Sequence, residues 1–348
     1  KPRLIMNRSA FITTLAIAAL LLLFCPFSTG LSAQVVTLPP RPTHQRSLDN
    51  IGLANSHKQQ WEIGMTIKSP GVLTGVSGTI TLPLDWPEQK VTIIKQEVPA
   101  GIKVQSRIIS GDVKQMLITI ARVNPTQELR ISFTVEVDRW SITAPQRTHE
   151  LKIPAVVEAE LRKYMGVSPS IETTNPLIVK ASTGIGADAD NDWQHVEMIY
   201  DWVRKNIRYE FDKELQGALT ALRSGKGDCE ELTSLFIAIC RNHGIPARSV
   251  WIPGHCYPEF YLVDRRGNGF WFPAQVAGTR SFGSMPEQRP VLQKGDNFRI
   301  PGNPRPQRYV AETFKATRYS QPPTVQFFRR QITAPADNSD DPFAPVLK

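Results

Sequence analysis

The run Gly225-Lys226-Gly227-Asp228-Cys229-Glu230-Glu231, with the apolar stretch that follows it, constrains the fold of this 348-residue chain more than any other feature. Asp228 is a good N-cap and Glu231 lies three residues on, which makes a capping box. Cys229 then takes the first helical position, where free backbone N–H groups and the helix dipole both favour thiolate. Leu232, Leu235, Phe236, Ile239 and Cys240 follow at helical spacing, and Ile237 and Ala238 fill much of the other face. The spacing therefore predicts a helix buried nearly all round, ended by Gly244 and left through Ile245-Pro246. A reactive thiol at the mouth of a buried helix is how cysteine hydrolases hold a nucleophile. The competing reading is a buried structural cysteine, the commoner fate of a lone cysteine.

His255 is the natural partner for that thiol. It opens a strand in which His255, Tyr257, Glu259 and Tyr261 share one face, directly after the Pro253-Gly254 break. Alternation sends Cys256 to the other face, away from His255. Of the remaining histidines, His44 and His57 lie in the N-terminal leader, His149 at a domain seam, and His195 and His243 near helix ends.

The rest of the chain divides by period. Residues 1–33 place Lys1, Arg3 and Arg8 before the apolar run Phe11–Phe24, then small and turn-forming residues to Ala33. This is the order of a secretory signal peptide cut near Ala33, with an uncleaved membrane anchor as the rival. Residues 34–58 are polar and proline-bearing and read as a linker. From Trp61 the period is two: Trp61–Ile67, Val76–Leu84 and Leu129–Val137 alternate, with shorter runs at Val91–Val98, Val104–Ile109 and Met116–Ile120. Short strands at this spacing predict an antiparallel sandwich over 59–150. Helical spacing follows at Ala155–Met165, Pro176–Ala181 and Trp193–Ile207, the last capped by the acidic run Asp188, Asp190 and Asp192. Helix and strand signals then interleave: Ala218–Arg223, the Cys229 helix, and strands at Ser249–Pro253, His255–Val263 and Phe270–Gln275. Residues 151–330 read as one domain, and 331–348 as a disordered tail.

Charge and cysteine content narrow the classes further. Lys and Arg exceed Asp and Glu by nine, and by six without residues 1–33. No basic run longer than two follows residue 33 and no aromatic residues interleave with it, so nucleic acid is not an expected partner. The mild positive balance leaves room for association with acidic polymers of a cell envelope. Four cysteines are too few for a disulfide scaffold. Cys229 and Cys240, eleven residues apart on one helix, stand about 16 Å apart and cannot bridge. No Cys-x-x-Cys or His-x-x-x-His spacing occurs, so neither a metal nor another cofactor is expected.

Four ordered blocks together resemble the bacterial transglutaminase-like superfamily. They are Trp202-Val203-Arg204-Lys205-Asn206-Ile207-Arg208-Tyr209, Gly227-Asp228-Cys229-Glu230, Gly244-Ile245-Pro246-Ala247-Arg248 and His255-Cys256-Tyr257-Pro258-Glu259. The resemblance covers about residues 155–280. It implies an α+β fold, a papain-like transglutaminase core preceded by the all-β antiparallel sandwich. It also implies a Cys-His-Asp triad with Cys229 as nucleophile and His255 as base. The third member departs from the family. Gln275 stands where an Asp is usual, at the end of Phe270-Trp271-Phe272-Pro273-Ala274. A glutamine carbonyl can accept the His Nδ1–H and orient the ring, but supplies no negative charge. Asp264 lies in a turn up to about 30 Å from His255, and Glu259 about 13 Å along the strand. The expected catalytic set is thus Cys229, His255 and Gln275. The implied activity is that of a secreted or periplasmic thiol enzyme on amide bonds of peptides or proteins. It would work through a Cys229 thioester resolved by water or an amine. The missing acid favours the alternative, a non-catalytic binding or scaffold protein of the cell envelope.

Overall fold

The computed structural model describes residues 52–212 and 214–332. The segment read as a signal peptide, most of the linker and nearly all of the tail lie outside these residues. Strand β1 (Leu53–Lys68) starts within the stretch read as linker and is followed by β2 (Leu73–Leu82), β3 (Gln89–Glu97), β4 (Ile102–Ile109), β5 (Val113–Val123) and β6 (Glu128–Ile142). The period-two residues make the sandwich core: Trp61, Ile63, Met65 and Ile67 of β1 meet Ile118 and Ile120 of β5 and Ile131, Phe133 and Val135 of β6. Their alternation turns one face of each strand inward, which is what a half-buried strand requires.

The chain then becomes mixed. Helix α1 (Pro176–Ser182), α2 (Asp192–Asn206), the two-residue strand β7 (Arg208–Tyr209), α3 (Ala218–Ser224), β8 (Lys226–Gly227) and α4 (Cys229–Asn242) precede β9 (Ala247–Ile252), β10 (His255–Val263) and β11 (Gly269–Gln275). Short strands β12 (Ser281–Phe282) and β13 (Gln293–Lys294) complete a five-stranded antiparallel sheet in the order β12-β11-β10-β9-β13. Helix α4 is buried from Glu231 to Arg241, as its apolar circumference requires. Phe236 of α4, Trp193 of α2 and Phe260 and Phe272 of the sheet stack edge to face in the same core.

Three local expectations change. Over Ala155–Met165 only a 3-10 turn forms, Ala159–Tyr164. It buries just Leu161 and Tyr164, too narrow a stripe to hold an α-helix. Asn191, rather than the aspartates, caps α2 by accepting from Gln194 N, while Asp192 accepts from Ile153 N at 2.9 Å. Beyond residue 311 the chain re-enters the sandwich as β14 (Thr313–Tyr319) and β15 (Thr324–Gln331). The two sandwich sheets run β14-β2-β5-β4 and β15-β1-β6-β3.

The sandwich meets the mixed sheet on the face away from α4. Trp86 and Ile142 pack there with Val250, Ile252 and Tyr257. Beside them lies a buried charge network. Arg248 pairs with Glu259 at 2.7 Å, Lys294 bridges Glu259 and Glu88, and Arg139 donates to Tyr257 Oη.

Candidate functional site

The site forms where the N-terminus of α4 meets the start of β10. Asp228 caps α4, accepting from Glu230 N at 2.7 Å, and Glu231 reaches back to Asp228 N at 3.0 Å. Gly227 allows this closure: a Cβ there would lie 2.5 Å from Glu231 Cβ. Strand β8 pairs with β7 in parallel, so Tyr209 is carried to the rim beside the nucleophile. Tyr209 is exposed, and the Cys229 and Asp228 charges help burial to raise its pKa.

Cys229 is half-buried at the first helical position, with the His255 ring close enough to its thiol to shift its titration. Gly254, at φ +72°, makes the turn that starts β10 with His255. His255 Nε2 lies 3.0 Å from Gln275 Oε1, which leaves Nδ1 as the nitrogen available to the sulfur. The expected trio is therefore assembled, but Gln275 engages Nε2 rather than the anticipated Nδ1. Gln275 is fully buried, and its amide nitrogen has no hydrogen-bond partner among the described residues.

The electrostatics favour an ion pair. The Cys256 side chain contributes most to stabilising the Cys229 thiolate. Burial opposes it, and the His255 ring and the Cys256 N–H add to it, bringing the Cys229 pKa down to about 4. Burial disfavours a charged His255, yet the Cys229 thiolate and the Gln275 hydrogen bond outweigh it and raise the His255 pKa. Cys240, fully buried, is pushed well above the usual thiol range. Of the three cysteines described, only Cys229 has thiolate character.

Several participants escaped the sequence reading. Cys256, on the strand face opposite His255, is part of the site all the same: its Sγ lies 3.5 Å from Cys229 O and 3.8 Å from Thr233 Oγ1, against the first turn of α4. Strand alternation assigned it correctly to the face opposite Tyr257, but α4 itself covers that face. Tyr200 and Arg204, one turn apart on α2, fix the end of β11. Tyr200 Oη donates to Gln275 O at 2.8 Å, and Arg204 Nη1 donates to Gln275 O and Val276 O at 3.0 and 3.1 Å. Their i, i+4 spacing was visible, whereas their target carbonyls were not. Arg308 donates to Glu230 O at 3.0 Å and stacks 5.1 Å from the Trp251 ring.

The rejected acids are occupied elsewhere. Asp264 closes its own turn by accepting from Arg266 N and Asn268 N, and Glu259 is held by Arg248 and Lys294. His195 and His243 pair with each other at 3.1 Å. No group of three or more metal-ligating side chains occurs among the described residues, and no helix there is long and apolar enough to cross a membrane.

Residues 180–276 match the Transglutaminase-like superfamily. The fold is similar to a crystal structure of a candidate cysteine protease from Cytophaga hutchinsonii, with a TM-score of 0.54 at 16% identity, covering 82% of this chain and 93% of that one. A candidate protease from Parabacteroides distasonis aligns at a TM-score of 0.26 and 13% identity, over 66% of this chain and 48% of that one. No curated protein is significantly similar in sequence.

Proposed function

With residues 180–276 forming a transglutaminase-like core, we propose that the chain is an exported thiol enzyme that cleaves or transfers acyl groups from amide bonds of peptides or proteins. One observation carries the reading: Cys229 opens helix α4 beside His255, whose Nε2 lies 3.0 Å from Gln275 Oε1, an arrangement that supports a thiolate–imidazolium pair.

In this reading the Cys229 thiolate attacks the substrate carbonyl carbon. The first-turn N–H groups of α4 face the developing oxyanion, where donors need no reorganisation. His255 gives its Nδ1 proton to the leaving nitrogen and later takes one from the water or amine that resolves the thioester. Gln275 acts as the positioning residue: its carbonyl accepts the Nε2–H and holds the ring edge toward the sulfur. It offers a dipole where the family usually offers a carboxylate, so the imidazolium is steadied chiefly by the thiolate itself. The charged and apolar order of residues 1–33 supports export.

The test is incubation with a peptide amide ester or aryl amide, with and without an added primary amine. Protein trapped by acid should carry an acyl adduct on Cys229, absent from Cys229→Ala. Product analysis then separates hydrolysis from transfer. No adduct on Cys229 from any peptide acyl donor, with folded protein, would leave the scaffold reading in its place.

A further inference from the structure

We infer that Cys256 is a resolving thiol for Cys229, so that a hydroperoxide converts the pair to a reversible disulfide between α4 and β10. The geometry places the two residues together because the strand face that carries Cys256 is the one covered by the first turn of α4. Cys256 Sγ rests 3.5 Å from the carbonyl oxygen of Cys229 and 3.8 Å from Thr233 Oγ1, one turn further along the same helix. From β10 its sulfur therefore rests against the first turn of α4, on the residue that carries the nucleophile. The accessibilities are complementary. Cys229 is half-buried and open to a small oxidant, whereas Cys256 is only 1% exposed and meets no solvent reagent directly. Cys240, the other thiol on α4, is fully buried eleven residues away, so it does not compete.

The chemistry balances with a hydroperoxide as oxidant. The Cys229 thiolate attacks the terminal peroxide oxygen. An S–O bond forms, the O–O bond breaks, and the alkoxide or hydroxide leaves with the electron pair, giving a sulfenic acid on Cys229. Cys256 then loses its thiol proton to the departing hydroxide as its sulfur attacks Cys229 Sγ. The S–S bond forms, S–O breaks and water leaves. Each sulfur is oxidised by one electron and the peroxide is reduced by two. The buried Cys256 thiol keeps its proton until the sulfenic acid exists beside it, since burial raises its pKa. The inference shares the thiolate with the proposed function but none of its acyl chemistry.

The experiment treats the full chain with hydrogen peroxide and reads intact mass and tryptic peptides. The wild type is expected to become about 2 Da lighter, with peptide Gly227–Arg241 linked to Ser249–Arg265 and tandem fragmentation placing the link on Cys229 rather than Cys240. Dithiothreitol should restore iodoacetamide labelling of Cys229 to the untreated level. Cys256→Ser should instead gain about 32 Da on Cys229, beyond recovery by the reductant. Wild type that gains sulfinic acid on Cys229 as fast as Cys256→Ser, with no linked peptides, would overturn the inference whatever the folding of the variant. Peptide-amide turnover of the reduced wild type is read separately, so an enzyme without the disulfide, or a disulfide without an enzyme, identifies which of the two readings has failed.

Discussion

Cys229 owes its charge to several modest donors, and each can be removed singly. In the wild type the rate of Cys229 alkylation should rise through a midpoint near pH 4 and then level off, because the thiolate is already formed. In His255→Ala the midpoint should move up toward the ordinary thiol value of about 8.5. Labelling followed by mass spectrometry across pH 3–10 reads both, and a wild-type midpoint near that of a free thiol would dismiss the ion pair. The upper limit of activity belongs to His255. Its pKa is raised, so the proton it must deliver is kept to higher pH than on an ordinary imidazole and is lost as pH climbs through that raised value. Gln275→Ala removes one orienting hydrogen bond, worth up to about tenfold in turnover. Gln275→Glu keeps the side-chain length, replaces the unpartnered amide nitrogen with oxygen and adds charge beside the ring. It should shift the alkaline limb of turnover to higher pH. A limb that stays fixed while Gln275→Ala also keeps full turnover would assign the orienting role elsewhere.

The nucleophile is only as ordered as the helix end that presents it. Asp228→Ala deletes the cap of α4 and should cost about 1 kcal/mol, a few degrees in Tm by calorimetry, while Asp228→Asn, which can still accept from the first turn, should cost less. Equal losses for the two variants would mean that the charge rather than the cap matters. This helix was legible from residues 228–244 alone, because cap, apolar periodicity and terminating glycine all act within a few residues of one another. The six early strands were legible for the same reason, through alternation within each strand. The 3-10 turn at Ala159–Tyr164 was not, since its helical spacing has nothing broad to pack against. Nor were the roles of Cys256, Tyr200 and Arg204, which depend on what lies across from them. Periodicity tells which way a side chain points but not what it meets. Strands β14 and β15 were missed likewise: their partners β2 and β1 lie more than two hundred residues earlier.

Between sandwich and mixed sheet, the buried charges join the two halves of the molecule. Lys294 compensates both Glu88 and Glu259, so Lys294→Met leaves Glu88 with Arg139 and Glu259 with Arg248 as their remaining cations and should cost about 3 kcal/mol in urea unfolding. Burial alone would raise the Glu88 pKa, but Lys294 and Arg139 pull it down to about 2. The folded value thus lies below the ordinary one of 4.5. Its contribution to stability is present above that ordinary value and is lost as pH falls toward 2. Urea midpoints at pH 7, 4 and 2.5 should fall steeply between the last two, and less steeply in Glu88→Gln. Midpoints that fall in parallel for both proteins would show that other carboxylates govern acid unfolding. At this scale too, exported protein should begin near Gln34, and an intact mass that still includes residues 1–33 would contradict the export reading.

The late entry of β14 and β15 into the sandwich also sets an order of events during synthesis. Thr79 of β2 waits for Thr313, and Glu62 of β1 for Arg330, separations of 234 and 268 residues. At about 5–20 residues per second, the ribosome needs on the order of ten to fifty seconds to supply the missing edges. Until then both early sheets carry unpaired strand borders, the template on which chains aggregate. A nascent chain of this protein therefore has reason to be kept from folding until it is complete, the same condition under which an unfolded polypeptide can be threaded through a membrane pore.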